Sequence, residues 1–156
     1  MNELAELLIE KGITISSVES FTVGNFATML GSIPGISKVY KGSLITYQSE
    51  TKERLLSIDH ALIEKYGVVS KEIATLMCVN GKSILDTDLC VSFTGNAGPD
   101  AMEGKPVGEV YIGIAYQDVV VYKLNLTGSR QEIASKAVEF AKKKIIEKIN
   151  EKLKKN

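Results

Sequence analysis

The stretch Ile13-Thr14-Ile15-Ser16-Ser17-Val18-Glu19-Ser20-Phe21-Thr22-Val23-Gly24-Asn25-Phe26 changes its periodicity part-way, and that change decides the fold. Residues 13–18 are short and β-branched, the mark of a buried strand. From Phe26 the apolar residues recur at helical spacing, through Met29, Leu30 and Ile33, and they stop at Pro34-Gly35. A strand therefore passes into a helix at Ser20. Upstream, Leu4, Leu7 and Leu8 place an amphipathic helix over residues 2–11, ended by Gly12. Downstream, residues 39–47 read as a second strand, and residues 50–56 and 61–66 as short helices, the latter closed by Gly67. Ser70 is placed as the N-cap of a longer helix, with Glu72 in its first turn. Residues 89–93 form an apolar strand. Residues 108–116 and 119–126 read as a hairpin around Gln117-Asp118. Ser129 and Glu132 have capping-box spacing and open a long last helix through Ile133, Ala137, Phe140, Ala141, Ile145, Ile149 and Leu153. Strands alternating with helices, plus one hairpin, predict an α/β fold: a mixed, largely parallel sheet with helices on both faces.

The rest of the chain narrows the function classes. The 156 residues suit one domain, 1–156, which buries about two-thirds of its unfolded-chain surface. Apolar residues are 44%, charged residues 24%, and the formal net charge is zero, so nothing invites a nucleic acid. The Lys-rich end (Lys142 to Lys144, Lys152, Lys154, Lys155) alternates with Glu139, Glu147 and Glu151 and reads as a solvated helix face. Cys78 and Cys90 lack paired spacing, and His60 is the sole histidine, so neither a disulfide framework nor a metal site is expected. Residues 1–10 are acidic and amphipathic rather than leader-like, and no apolar run spans a bilayer; a cytoplasmic protein without a membrane partner is expected.

Several catalytic motifs fail on inspection. Gly81-Lys82-Ser83 lacks the earlier glycine of a phosphate-binding loop and lies in a helical pattern. Ser20 has Val18 and Thr22 where a hydrolase nucleophile elbow needs glycines. His60, between two short helices, reads as a turn or cap residue. Ser49 and Lys52 have Ser-x-x-Lys spacing without a companion Lys-Thr-Gly, and Ser49 reads as the cap of the helix carrying Lys52.

Three junctions remain. At Ser20 and Thr22 the amides of a helix start would point at whatever lies beside Ser20, a place suited to an anion or an oxyanion. Tyr47 and Lys52 straddle the next strand-to-helix junction. Thr94-Gly95-Asn96-Ala97-Gly98-Pro99 follows a third strand and would bring bare backbone against a ligand. In a parallel sheet such strand ends share one edge, where ligands bind.

These blocks carry a family resemblance. Glu19-Ser20-Phe21-Thr22-Val23-Gly24 resembles the Glu-Ser-x-Thr-Gly-Gly signature of the C-terminal domain of competence/damage-inducible protein CinA. Tyr47-Gln48-Ser49-Glu50-Thr51-Lys52 is similar to that family's Tyr-Ser-Asn-Glu-x-Lys, and Tyr66-Gly67-Val68-Val69-Ser70 to its Gly-Ala-Val-Ser. The loop at Thr94, the stretch Lys105-Pro106-Val107-Gly108 and the triplet Gly128-Ser129-Arg130 follow in the family's order.

The resemblance implies a three-layer α/β/α sandwich, a homodimer or higher homo-oligomer, and a nicotinamide-nucleotide amidohydrolase of the pyridine nucleotide cycle. Nicotinamide mononucleotide and water would give nicotinic acid mononucleotide and ammonia, with no cofactor and no metal. It further implies Ser20 as nucleophile, Lys52 as its base, and Tyr47, Thr94 and Arg130 as supporting groups. Substrate contacts are expected from Thr22, Gly24, Thr94, Gly95, Asn96, Ala97, Gly98, Lys105 and Arg130.

Amide hydrolysis needs what such a set offers: a nucleophile, a proton acceptor and a stabiliser for the oxyanion. A lysine serves as base only if its amine is pushed below its usual value, by burial or by a cation such as Arg130. Tyr47 would relay or hold the proton, the helix start after Ser20 would supply donors for the oxyanion, and Arg130 or Lys105 would meet the phosphate. The sequence departs from the signature at Val23, where a β-branched side chain replaces a glycine, and at Ser49 and Thr51. Val23 is expected to narrow the site, alter the preferred substrate or lower the rate. The rival reading is a non-catalytic nucleotide-binding domain, or a competence/damage-related interaction domain with impaired activity.

Overall fold

The computed structural model describes residues 1–154, and Lys155 of the Lys-rich end lies outside them. The elements, in chain order, are α1 (Asn2–Lys11), β1 (Ile15–Glu19), α2 (Asn25–Gly31), β2 (Tyr40–Ile45), α3 (Ser49–Leu56), α4 (His60–Tyr66), α5 (Lys71–Ile84), β3 (Leu89–Gly95), β4 (Glu109–Tyr116), β5 (Asp118–Asn125) and α6 (Arg130–Leu153). The five strands form one sheet in the order β2-β1-β3-β4-β5. β1 pairs in parallel with β2 and β3, while β3–β4 and β4–β5 are antiparallel. Only β4 therefore runs against the other four. The sheet is mixed, as the alternation of strands, helices and one hairpin predicts.

Alternation of side chains along β1 divides the molecule into its layers. Ile15 joins Leu89, Val91, Phe93, Val110, Ile112 and Ile114 on one face, under Leu4 and Leu8 of α1, Phe26 and Leu30 of α2, and the buried side of α6. Val18 joins Cys90 and Ala115 on the other face, beneath Leu56 of α3, Ile63 of α4 and Ile73, Met77 and Cys78 of α5. The result is three layers, α/β/α.

The termini of the elements follow local chemistry. Ser70 caps α5 by accepting from the Ile73 amide, and Ser129 with Glu132 forms a full capping box on α6. Two expected caps shift. α3 starts at Ser49 itself after Gln48, so Ser49 is no cap, and Thr51 Oγ1 donates to the Gln48 carbonyl instead. Asp59, not His60, caps α4, while His60 pairs with Glu53 and Glu64. The hairpin turns on Gln117 alone, which takes φ +61, and Asp118 joins β5. Asp118 is drawn into the strand by ion pairs to Lys148 and Lys152 of α6. Gly81-Lys82-Ser83 lies within α5.

Candidate functional site

Register places the carboxyl ends of β1, β2 and β3 side by side, with Glu19 opposite both Ile45 and Phe93. The residue after each end faces the α5 side of the sheet: Thr46, Ser20 and, from within β3, Thr94. A cleft of about 580 Å³ opens above them. Ser20 and Phe21 form its floor, Tyr47, Gln48 and Ser49 one side, residues 94–102 and Val68 the other, and Arg130 its mouth.

Lys52 reaches Ser20 because α3 starts three residues before it and turns its side chain inward. It is fully buried, with 0% exposure, whereas Ser20 keeps 8%. The Lys52 amine donates to Ser20 Oγ at 3.2 Å, to the Thr46 carbonyl at 2.6 Å and to the Tyr47 carbonyl at 3.3 Å. Removal from water pushes its pKa from 10.5 down to about 8, while the charge of Glu103 works in the opposite direction. Burial, and not Arg130, is the cause of that shift. An amine that shares its protons with a serine hydroxyl and titrates near 8 can accept the hydroxyl's proton once it is neutral.

Tyr47 takes part differently from expectation. Its main-chain oxygen meets Lys52, but its hydroxyl accepts from Arg130 Nη2 at 2.6 Å and so does not touch the Ser20–Lys52 pair. Arg130 Nη1 donates to the Gly98 carbonyl at 2.5 Å, so one guanidinium ties the two sides of the cleft mouth. Thr94 lines the cleft, with its hydroxyl given to the Val68 carbonyl at 2.6 Å. Asn96 lines it too, but its side chain braces the loop, accepting from the Gly98 amide and donating to the Lys105 carbonyl. Gly95 lacks a side chain for a packing reason: a Cβ there would lie 2.5 Å from Val110 Cγ1. Gly95, Ala97 and Gly98 all border the cleft.

Three expected substrate contacts lie elsewhere. Thr22 gives its hydroxyl to Glu19 at 2.7 Å, and Gly24 is the N-cap of α2; neither borders the cleft. Lys105 is outside it as well, held 3.8 Å from Glu109. The start of α2 is also occupied. The carboxylate of Glu19, buried beneath the turn, accepts from the amides of Phe26 at 3.2 Å and Ala27 at 2.9 Å, and from the hydroxyls of Ser17 and Thr22. Those helix amides therefore face a resident anion and not the cleft. The Phe21 amide, next in the chain after Ser20, donates to no protein group among the described residues. Val23 does not enter the cleft: its side chain is 59% exposed, and what is unusual is its backbone, at φ +46.

Glu19 is the residue whose work reading by motif missed. Its signal was a carboxylate ending an otherwise uncharged, wholly buried strand, where only a full set of donors makes a charge tolerable. Among the described residues no group of three or more His, Cys, Asp or Glu side chains is placed to hold a metal ion, and no helix is long and apolar enough to cross a membrane.

Comparison with known proteins identifies the family. The family model described as the CinA C-terminal domain matches residues 1–149. A competence-damage inducible protein of Bacillus thuringiensis (strain Al Hakam) is 40% identical over 148 residues, and one of Levilactobacillus brevis is 42% identical over 137. These cover 94% and 86% of the chain but only 36% and 33% of the relatives, so the chain spans about a third of their length. Among solved structures, the competence/damage inducible protein CihA of Agrobacterium tumefaciens superposes with a TM-score of 0.86 at 28% identity, covering 92% of each chain. A CinA superfamily protein of Klebsiella pneumoniae 700603 superposes at 0.92 with 25% identity, covering 95% of this chain and 94% of that one. The chain belongs to the CinA C-terminal domain family.

Proposed function

We propose that this domain is a nicotinamide-nucleotide amidohydrolase that deamidates nicotinamide mononucleotide by a Ser/Lys mechanism. One observation carries the reading: a fully buried lysine amine lies 3.2 Å from a serine hydroxyl at the floor of a cleft of mononucleotide size. In its neutral form Lys52 takes the Ser20 proton as Oγ attacks the carboxamide carbon. The tetrahedral oxyanion meets the Phe21 amide. Lys52 then returns the proton to the departing ammonia, and the C–N bond breaks to leave an ester on Ser20. Water, deprotonated by Lys52, hydrolyses that ester to nicotinic acid mononucleotide and frees the serine. Arg130 spends one N–H on Tyr47 and one on Gly98, and its remaining donors serve the phosphate at the mouth. Lys105 has no part in this version. In this reading the domain acts in the cytoplasm, in pyridine nucleotide salvage, as a homodimer or higher oligomer, without cofactor or metal.

The test is ammonia release from nicotinamide mononucleotide by the wild type, Ser20→Ala and Lys52→Ala. Turnover lost in both variants is expected. Turnover that survives Ser20→Ala removes the mechanism. Tight binding without any turnover by the wild type would favour the nucleotide-binding domain. Against that rival stands the position of Val23, whose side chain, the reason for suspecting a disturbed reacting end, is outside the cleft.

A further inference from the structure

The loop between β3 and β4 carries a carboxylate that the proposed chemistry does not use. Glu103 sits at the tip of a tight turn in which Met102 and Lys105 exchange main-chain hydrogen bonds, 3.3 Å and 2.8 Å long. Glu103 and Gly104 both take left-handed backbone conformations, at φ +55 and +69. The turn delivers the carboxylate to the connection between α4 and α5. There Oε1 accepts from the Val68 amide at 2.9 Å and Oε2 from the Val69 amide at 3.1 Å.

The receiving side is shaped for it. Gly67 turns at φ +74, and a Cβ at that position would lie 2.5 Å from Glu103 Oε2, so a side chain there would evict the carboxylate. Val68 is held from the other direction too, since its carbonyl accepts from Thr94 at the end of β3. Val68 and residues 98–102 together make the cleft wall opposite Tyr47. That wall is all loop. The sheet holds it at Thr94 and Arg130 clasps it at Gly98, but beyond Gly98 its tie to the helical layer is Glu103.

We infer that Glu103 is a latch: it holds residues 98–102 closed against Val68, and is thereby a positioning residue for whatever nucleotide occupies the Ser20 cleft. Charge is what makes it effective, because a carboxylate accepting from two consecutive amides makes stronger hydrogen bonds than a neutral acceptor. Opening the latch leaves Ser20 and Lys52 in place, since neither touches Glu103. What the chemical step loses is only the Glu103 charge, which raises the Lys52 pKa, so above the pH at which Lys52 is neutral the loss falls on binding. The identity of the ligand rests on the amidase reading; the latch itself does not.

The experiment is hydrogen exchange on the ligand-free full chain, comparing wild type, Glu103→Gln and Glu103→Ala, followed by kinetics with nicotinamide mononucleotide. In Glu103→Ala the Val68 and Val69 amides should exchange about tenfold faster or more, with residues 98–102 following, and Glu103→Gln should fall between. Measured at about pH 9, where Lys52 is neutral with or without the Glu103 charge, KM should rise about tenfold while kcat stays within about twofold. Unchanged exchange at Val68 and Val69 overturns the latch, as does faster exchange with an unchanged KM or a loss confined to kcat. If the wild type does not turn over the nucleotide, the amidase reading fails, and the exchange rates still decide for or against the latch.

Discussion

At the scale of single residues, Lys52 is the costly choice. A buried amine that titrates at about 8 instead of 10.5 must be neutral to act as a base, so kcat/KM should climb with pH and level off above about 8. A pH profile of ammonia release checks this, and a profile flat from pH 6 to 9 would remove Lys52 from the role. The same shift has a sign in stability. The unfolded chain holds the Lys52 proton up to about 10.5 and the folded chain only to about 8, so between those values the unfolded state binds more protons and stability rises with pH. Lys52→Met should lack that rise, as urea denaturation at pH 8 and pH 10 would reveal. Val23 makes the opposite point. A β-branched residue at φ +46 is strained by roughly 1 kcal/mol, and a glycine there would relieve that strain but add about as much freedom to the unfolded chain. Val23→Gly should therefore change stability by less than about 1 kcal/mol and leave turnover nearly as it was, because the side chain is outside the cleft.

At the scale of elements, the site depends on how two helices begin. α2 starts without a capping side chain at its own N-cap, Gly24, and relies on Glu19 from the preceding strand. Glu19→Ala would leave two helix amides and two hydroxyls without their acceptor, and should cost about 2–4 kcal/mol by urea denaturation, with Glu19→Gln costing less. Activity should fall with it, since the Ser20 turn lies between Glu19 and the groups it holds. α6 is capped by Ser129, immediately before Arg130. Ser129→Ala should cost about 1 kcal/mol by the same measurement, and it should loosen the Arg130 clasp across Tyr47 and Gly98.

At the scale of the whole molecule, the cleft exists only where three parallel strand ends, a loop from β3 and the start of α6 converge. Ligand binding and global stability are then linked. Ser20→Ala keeps the cleft but not the proposed nucleophile, so on the amidase reading nicotinamide mononucleotide at a hundred times its Kd should stabilise that variant by about 2.7 kcal/mol. A rise in Tm in Ser20→Ala checks it, and no rise at saturating nucleotide would mean that the cleft is not where the nucleotide binds.

How much of this was legible beforehand follows from the range of the forces involved. Strand and helix periods, the capping box at Ser129 and Glu132, and the Ser70 cap are local, encoded within a few neighbouring residues, and they could be read directly. So could the convergence of Ser20, Tyr47, Lys52 and the loop at Thr94, because parallel strands bring their carboxyl ends to one edge by topology alone. Which atoms those residues present could not be read. That Tyr47 offers Lys52 its carbonyl and gives its hydroxyl to Arg130, that Glu19 occupies the amides meant for an oxyanion, and that Lys105 turns to Glu109 all depend on contacts between groups far apart in the chain. The fall in the Lys52 pKa is of the same kind. Desolvation is a property of the packed interior, so the sequence determined which residues meet at the sheet edge, and only the tertiary structure decided which of them lose water and where each one donates.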